Sequence, residues 1–404
     1  MLRPLTEIVR DPALRLSTLL LVLNGAIGAS LAPYQSLLAI RLFGLTDRTY
    51  ALVLVAGAAV FVVASLVLGI LSDLHFARRS VALATATAPI GGFGLMTALP
   101  GPHAFVLVHA VLLPIGATLF AQCFALARVA ANRLRAEGQA AQMAAVRAAF
   151  ALPWVVVLPL WSLAYRAGVG LQWIYPVLLS LAGLTAAVIA FGWPKTDEAD
   201  RGAAGAGSLL SGLAEVLRPE ILLRVLLLGA TISAVALYMV LLGLVMSATG
   251  RPAGDVAIYA GVMAGIEVPL MLALPALQQR VGAAALVAVG AGLYALHLVG
   301  LPFLAGTPFV WALTLPGAAG GAAILAVPIA YLQDLMKGSP GAGSSLMALQ
   351  RVTGDALCAL AFATGTAVTG YRLAALIGAF LSVGAGLLLW RIDRPRFSAS
   401  RRNP

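Results

Sequence analysis

Long apolar runs separated by short polar breaks set the pattern of this chain. Runs near 20 residues recur from Leu14 to Trp390, and each is long enough to cross roughly 30 Å of hydrocarbon as a helix. Twelve of them fall at approximately 14–40, 49–71, 80–99, 104–127, 143–165, 172–194, 221–248, 254–277, 282–304, 308–333, 343–368 and 371–391. Pro and Gly interrupt many, which membrane helices tolerate where neighbours satisfy the freed backbone groups. The pattern predicts an all-α membrane protein with twelve transmembrane helices.

The polar breaks repeat across the two halves. Tyr331-Leu332-Gln333-Asp334-Leu335-Met336-Lys337 leads into a Gly/Ser/Pro turn, and Met347-Ala348-Leu349-Gln350-Arg351 and Asp355 follow. A weaker copy has a polar loop from Phe124 to Arg135 and then Met143-Ala144-Ala145-Val146-Arg147. Arg147 precedes Arg351 by 204 residues and Pro114 precedes Pro316 by 202. Offsets of half the chain suggest an internal duplication. Two pseudo-symmetric six-helix bundles are expected, over 1–194 and 221–404. The stretch 195–220 between them carries Asp197, Glu198, Asp200 and a Gly/Ala/Ser-rich piece, which reads as a flexible link. Ser211 to Glu220 is a candidate surface helix within it.

Composition agrees. The chain is 61% hydrophobic and 10% charged, with mean hydropathy +0.98, whereas soluble domains carry about 25% charged residues. Cys123 and Cys358 both lie in apolar runs, so neither a disulfide framework nor a metal site is indicated. The net charge of +11 does not point to nucleic acid, because the basic residues sit in short loops beside spans. Most fall on one side: Arg78 and Arg79, Arg128 to Arg135, Lys195 to Arg218, Arg280, Lys337 and the run after Trp390. The opposite loops hold Arg41, Arg48, Arg166, Arg251 and Arg372. This asymmetry predicts both termini in the cytoplasm. Leu14 to Ile40 is too long for the apolar region of a cleavable signal.

The loop after the second run reads Gly69-Ile70-Leu71-Ser72-Asp73 and ends in Arg78-Arg79. It resembles the signature loop of the major facilitator superfamily, with Phe76 and Ala77 standing where a second glycine and a basic residue are usual. The resemblance implies a cytoplasmic latch of Gly69, Asp73, Arg78 and Arg79, with Arg128 as a basic partner for Asp73. Three further strings are similar to the bacterial sugar efflux transporter family within that superfamily. They are Gly265-Ile266-Glu267-Val268-Pro269-Leu270-Met271-Leu272, Tyr331 to Met336 with Arg351-Val352, and Arg147 with Trp154 and Pro159. Val157-Leu158 replace that family's Gly-Pro pair. The resemblance implies a multi-pass protein of the bacterial inner membrane with the major facilitator fold, exporting a sugar or small glycoside by alternating access in exchange for protons.

Glu267 is the most informative single residue. It lies mid-span with no charged residue within ten positions on either side. An ionised acid at that depth costs about 2.5–3.5 kcal/mol on insertion scales, so Glu267 is expected to face a cavity or carry a proton. Substrate binding, proton carriage and plain interhelical packing are the three readings. Arg147 and Arg351 sit near the starts of equivalent spans, and either could snorkel to the interface or bind solute. Asp355 lies four residues after Arg351 on one helical face and can pair with it. Asn24, Gln35, Gln122, Gln350, Trp154, Trp161 and Tyr238 are candidate hydrogen-bonding and aromatic partners for a sugar. Trp154 lies about two turns beyond Arg147 on the same face. His109 and His297 read as helix hydrogen-bonding groups without metal-ligand spacing.

No nucleotide-binding glycine loop, nucleophile elbow or paired-His motif occurs, which argues against an ATP-driven pump and against an enzyme. No cofactor or metal is expected. The expected partners are a small-molecule solute, protons and membrane lipids, with the chain acting as a monomer. A multidrug or other small-solute proton antiporter of the same fold is the alternative, and a membrane scaffold is a third.

Overall fold

Hydrophobicity dictates the architecture, because a backbone crossing lipid must satisfy its own hydrogen bonds and a helix does so within one segment. The computed structural model describes residues 2–74, 78–131, 136–193, 218–335 and 342–402. Among these, twelve helices are long and apolar enough to cross a membrane. They are α1 (Pro12–Leu31), α2 (Asp47–Leu74), α3 (Arg78–Ala98), α4 (Pro102–Phe124), α5 (Ala136–Arg166) and α6 (Ile174–Gly192). The second set is α7 (Pro219–Ala248), α8 (Ala253–Val281), α9 (Ala283–Leu304), α10 (Thr314–Leu335), α11 (Ala342–Val368) and α12 (Tyr371–Arg402). The link over 195–217 lies outside the described residues, together with most of the candidate helix over 211–220.

Local sequence sets the helix ends. A short helix, Leu2–Arg10, precedes α1. The Asp11 carboxylate then caps α1 by accepting from the backbone N–H of Ala13 at 2.8 Å and of Leu14 at 3.0 Å, and Pro12 fills the first helical position. Gly282 and Gly370 follow α8 and α11 with φ of +88° and +107°, a backbone conformation that glycine adopts without a Cβ clash.

The first apolar run is not one continuous helix. α1 ends at Leu31, a turn covers residues 32–34, and helical structure resumes at Gln35 before a π-turn over Leu38–Leu42. Pro33 accounts for part of the break, since it has no N–H to donate to the Ala29 carbonyl, although Ala32 before it keeps helical dihedrals. α4 is also irregular, with a π-turn over Val108–Leu112.

Two compact units emerge from the contacts. The first comprises Met1–Ala32, Leu42–Gly44 and Ala56–Ala206, and the second Pro33–Arg41, Leu45–Val55 and Gly207–Pro404. In the first unit Leu14, Leu20, Leu21, Ala82, Leu119, Val146 and Ile189 form the buried core. Gly116 of α4 lies against the ring of Pro89 in α3, where a Cβ would come within 2.3 Å of the proline. In the second unit Val225, Leu228, Val287, Val327, Leu332, Leu346 and Leu389 are buried together.

The second unit also takes in the residues on either side of the 42–44 turn. Tyr34 donates from its hydroxyl to the Ala253 carbonyl at 3.0 Å, and Ser36 donates to the Val240 carbonyl at 2.6 Å. Tyr371 donates to the Asp47 carboxylate at 3.1 Å, while Tyr50 meets Phe362 edge-on. Large apolar side chains such as Phe191, Phe380 and Leu272 stay exposed, as surfaces bathed in lipid require.

Candidate functional site

Glu267 is half-buried on α8, two residues before Pro269. The proline supplies no N–H for the Gly265 carbonyl one turn back, so one backbone hydrogen bond of α8 is missing beside the acid. What makes room for Glu267 is the facing helix. α10 carries Gly317, Gly320 and Gly321, and each glycine meets a different group from a neighbouring helix. A Cβ on Gly317 would lie 2.7 Å from His297 Nδ1, and one on Gly320 would lie 2.6 Å from both the Gly290 carbonyl and the Tyr294 amide. A Cβ on Gly321 would lie 1.9 Å from Glu267 Oε1 and 3.3 Å from Tyr294 Cε2. Glu267 and Tyr294 therefore flank the same point on the glycine face.

Around this point lies a lattice of buried aromatic rings. Tyr238 on α7 packs edge-on against Tyr294 and His297 on α9, with ring centroids 6.2 and 4.8 Å apart. Tyr259 on α8 stacks with His297 at 6.0 Å and touches Trp311 at 5.5 Å. Tyr238, Tyr259, Tyr294 and His297 are each at most 1% exposed.

Hydrogen bonding fixes the histidine tautomer. His297 Nδ1 lies 3.1 Å from the Leu313 carbonyl, which can only accept, so Nδ1 carries the hydrogen. The Tyr259 hydroxyl is 3.3 Å from the same nitrogen. Nε2 is then a bare acceptor, and it has no hydrogen-bond partner among the described residues. The hydroxyls of Tyr238 and Tyr294 have none either. Buried polar atoms are almost always paired. Three unpaired ones in a single ring lattice, beside the mid-span acid, mark this part of the second unit as the candidate site.

The other expected residues divide between the units. In the first, the Trp154 indole lies over Gly28 of α1, where a Cβ would be 3.6 Å from the ring. Asn24 and Arg147 are half-buried on α1 and α5. Gln122 donates to the Thr85 hydroxyl at 3.1 Å, and Trp161 donates from its indole N–H to Ser30 at 2.9 Å, so both join helices. His109 lies 3.2 Å from the Tyr175 hydroxyl.

In the second unit Gln350 is buried, and its backbone carbonyl approaches Gly229 of α7. Arg351 pairs with Asp355 at 3.2 Å on α11, with side chains 65% and 34% exposed. Gln35 is half-buried beyond the α1 break. Of the latch residues, Arg79 donates to the Ala190 carbonyl at 2.7 Å and so caps the end of α6, and Arg78 is half-buried. The side-chain placements of Asp73 and Arg128 and the surroundings of Gly69 fall outside what is described.

Part of the Tyr331 string is structural. The Tyr331 hydroxyl donates to the Asp393 carboxylate, which also accepts from Arg224.

With this geometry in hand, relatives define the class. A Deinococcus radiodurans protein provisionally named a sugar efflux transporter is 25% identical over 397 residues, covering 94% of this chain and 98% of the relative. Sugar efflux transporter A of Dickeya chrysanthemi is 28% identical over 392 residues, covering 95% and 97%. The crystal structure of the nucleoside transporter NupG superposes with a TM-score of 0.74 at 17% identity, over 94% of this chain and 98% of that one. An aspartate-to-alanine mutant of NupG gives 0.75 at 18% identity. The chain is a transporter of the major facilitator fold. No family model matches it. As a transporter rather than an enzyme, it needs a site that binds and releases a small solute without bond chemistry, and the ring lattice around Glu267 supplies polar groups suited to that.

Tyr259, Tyr294 and the bare face of His297 were not singled out in the sequence. Their signal is present in the spacing: Tyr294 and His297 lie three apart, hence on one face, as do Gly317 and Gly320 on the helix opposite.

Proposed function

We propose that this transporter exports sugars or small glycosides by alternating access, taking protons inward in exchange. Its site is in the bacterial inner membrane, with the chain monomeric and both termini cytoplasmic. The observation that carries this reading is Glu267, held at mid-span beside Tyr294 and over Gly321, within a lattice whose unpaired hydroxyls suit a polyol. The names of the two full-length relatives support sugar as the cargo. Glu267 is the proton-carrying or sugar-binding acid, because an acid at that depth is a functional candidate by default. Tyr238 belongs to the same site. Arg147, Trp154, Gln122 and Asn24 are the candidate solute or proton groups of the first unit, and Gln350, Arg351 and Asp355 those of α11. Gly69, Asp73, Arg78, Arg79 and Arg128 form the cytoplasmic latch, and residues 195–220 join the two bundles.

The test is transport by purified protein in liposomes with an imposed pH gradient, using radiolabelled sugars, a nucleoside and a cationic drug. Sugar should accumulate against its gradient only when protons flow the other way. Glu267→Gln should still exchange sugar down its gradient yet fail to concentrate it. Gradient-driven accumulation by Glu267→Gln at the parent rate removes Glu267 from the mechanism, and accumulation of the drug or nucleoside alone replaces sugar as the cargo.

A further inference from the structure

We infer that Gly321 is the positioning residue for Glu267: the missing side chain at 321 fixes where the acid's carboxyl stands. The inference rests on the functional reading of Glu267 above and extends it to a residue that never titrates.

The geometry is specific. Glu267 Oε1 occupies the place where a Cβ of residue 321 would project, 1.9 Å from that atom's position. No real Cβ tolerates a neighbour so close, so one of the two must move. The obstructing atom is the end of a flexible side chain and not backbone, so the acid yields while the helices hold. Retreat to a bare contact of 3.0 Å displaces the carboxyl by about 1 Å, away from the point it shares with Tyr294. Misplacement of a reacting group by about 1 Å can lower a rate by about a hundredfold.

The two neighbouring glycines differ in what they face. Gly320 lies against backbone atoms of α9 and Gly317 against the His297 ring, so larger residues there push helices or rings apart. Gly321 alone among the three meets the acid. Gly265, on α8 two residues before Glu267, has open space where its Cβ would be.

Glu267→Asp removes the contact that a methyl group at 321 would make. It withdraws the carboxyl by one C–C bond, about 1.5 Å, which is enough to admit a methyl group at 321. In gradient-driven uptake by proteoliposomes, Gly321→Ala should lower the rate by about ten- to a hundredfold, with expression and thermal stability near the parent's. Gly265→Ala should transport normally. Glu267→Asp alone should also slow transport, and adding Gly321→Ala to it should lower the rate by no more than about twofold further. A structural defect at 321 would add its own loss to that of the shorter acid, so the non-additivity separates positioning from folding.

Full activity of Gly321→Ala, or a fully additive loss in the double variant, overturns the inference while leaving Glu267's role standing. Full activity of Glu267→Gln in the same assay overturns that role, and the inference with it.

Discussion

Arg224 on α7 and Asp393 on α12 form an ion pair at 2.8 Å with side chains only 4% and 12% exposed. The Arg224 guanidinium reaches Asp393 through two nitrogens and also donates to the Glu220 carbonyl at 2.7 Å. Tyr331 of α10 completes the cluster on the second carboxylate oxygen, so one acid ties three helices. Removing one partner of a buried pair strands the other and costs about 3–5 kcal/mol, whereas replacing both with apolar groups is often close to neutral. Arg224→Met and Asp393→Leu should each lower the melting temperature in detergent markedly. The double variant should recover most of the loss. A double variant as unstable as the sum of the singles would refute this account.

Trp161 and Ser30 bind α5 to α1 through a buried hydrogen bond of 2.9 Å. Trp161→Phe keeps an aromatic ring and removes the donor, at a cost of about 1 kcal/mol. Thermal unfolding should shift downward while half-saturation for sugar stays at the parent value. A selective loss of sugar affinity would show that this tryptophan reaches the solute.

Gln122 presents a comparable choice. Its amide is bonded to Thr85 at 3.1 Å, so Thr85→Val should free the amide and lower stability by about 1 kcal/mol. Should Gln122 also serve the solute, Gln122→Ala will raise the half-saturation concentration well beyond what Thr85→Val does. Equal effects in uptake assays would confine Gln122 to helix packing.

Arg351 and Asp355 are four apart on one helix and substantially exposed, so their pairing is worth at most about 0.5 kcal/mol to the fold. Swapping them, as Arg351→Asp with Asp355→Arg, should leave thermal stability within about 0.5 kcal/mol of the parent. A large drop in transport without a drop in stability would then assign the charges to solute or proton movement. Unchanged transport would make them a neutral surface pair.

Much of the fold was legible in the sequence because lipid imposes a simple rule on length and polarity. The run expected at 172–194 is matched by the span Leu171–Gly192, and that at 254–277 by Ala253–Val281. The exception, the break after Leu31, depends on Pro33 and on the contacts that Tyr34 and Ser36 make with residues more than 200 positions away. No local pattern encodes such contacts. At the site, Glu267 was legible as an isolated charge in an apolar run. Its surroundings were not. Tyr259, Tyr294 and His297 look like ordinary span residues until helix packing brings their rings together, and the Gly317, Gly320 and Gly321 face acquires meaning only when each glycine is seen against its neighbour.

The unpaired atoms of Tyr238, Tyr294 and His297 hold the stability of the native transporter below what its packing would allow. Each buried polar atom without a partner costs about 1–3 kcal/mol, so Tyr238→Phe and Tyr294→Phe, which delete only the hydroxyls, should raise the melting temperature. Proteins commonly retain such costs where activity requires them. These two tyrosines are therefore the first places to look for a thermostabilised form suited to crystallisation. Whether that form still moves solute would tell what the hydroxyls are kept for.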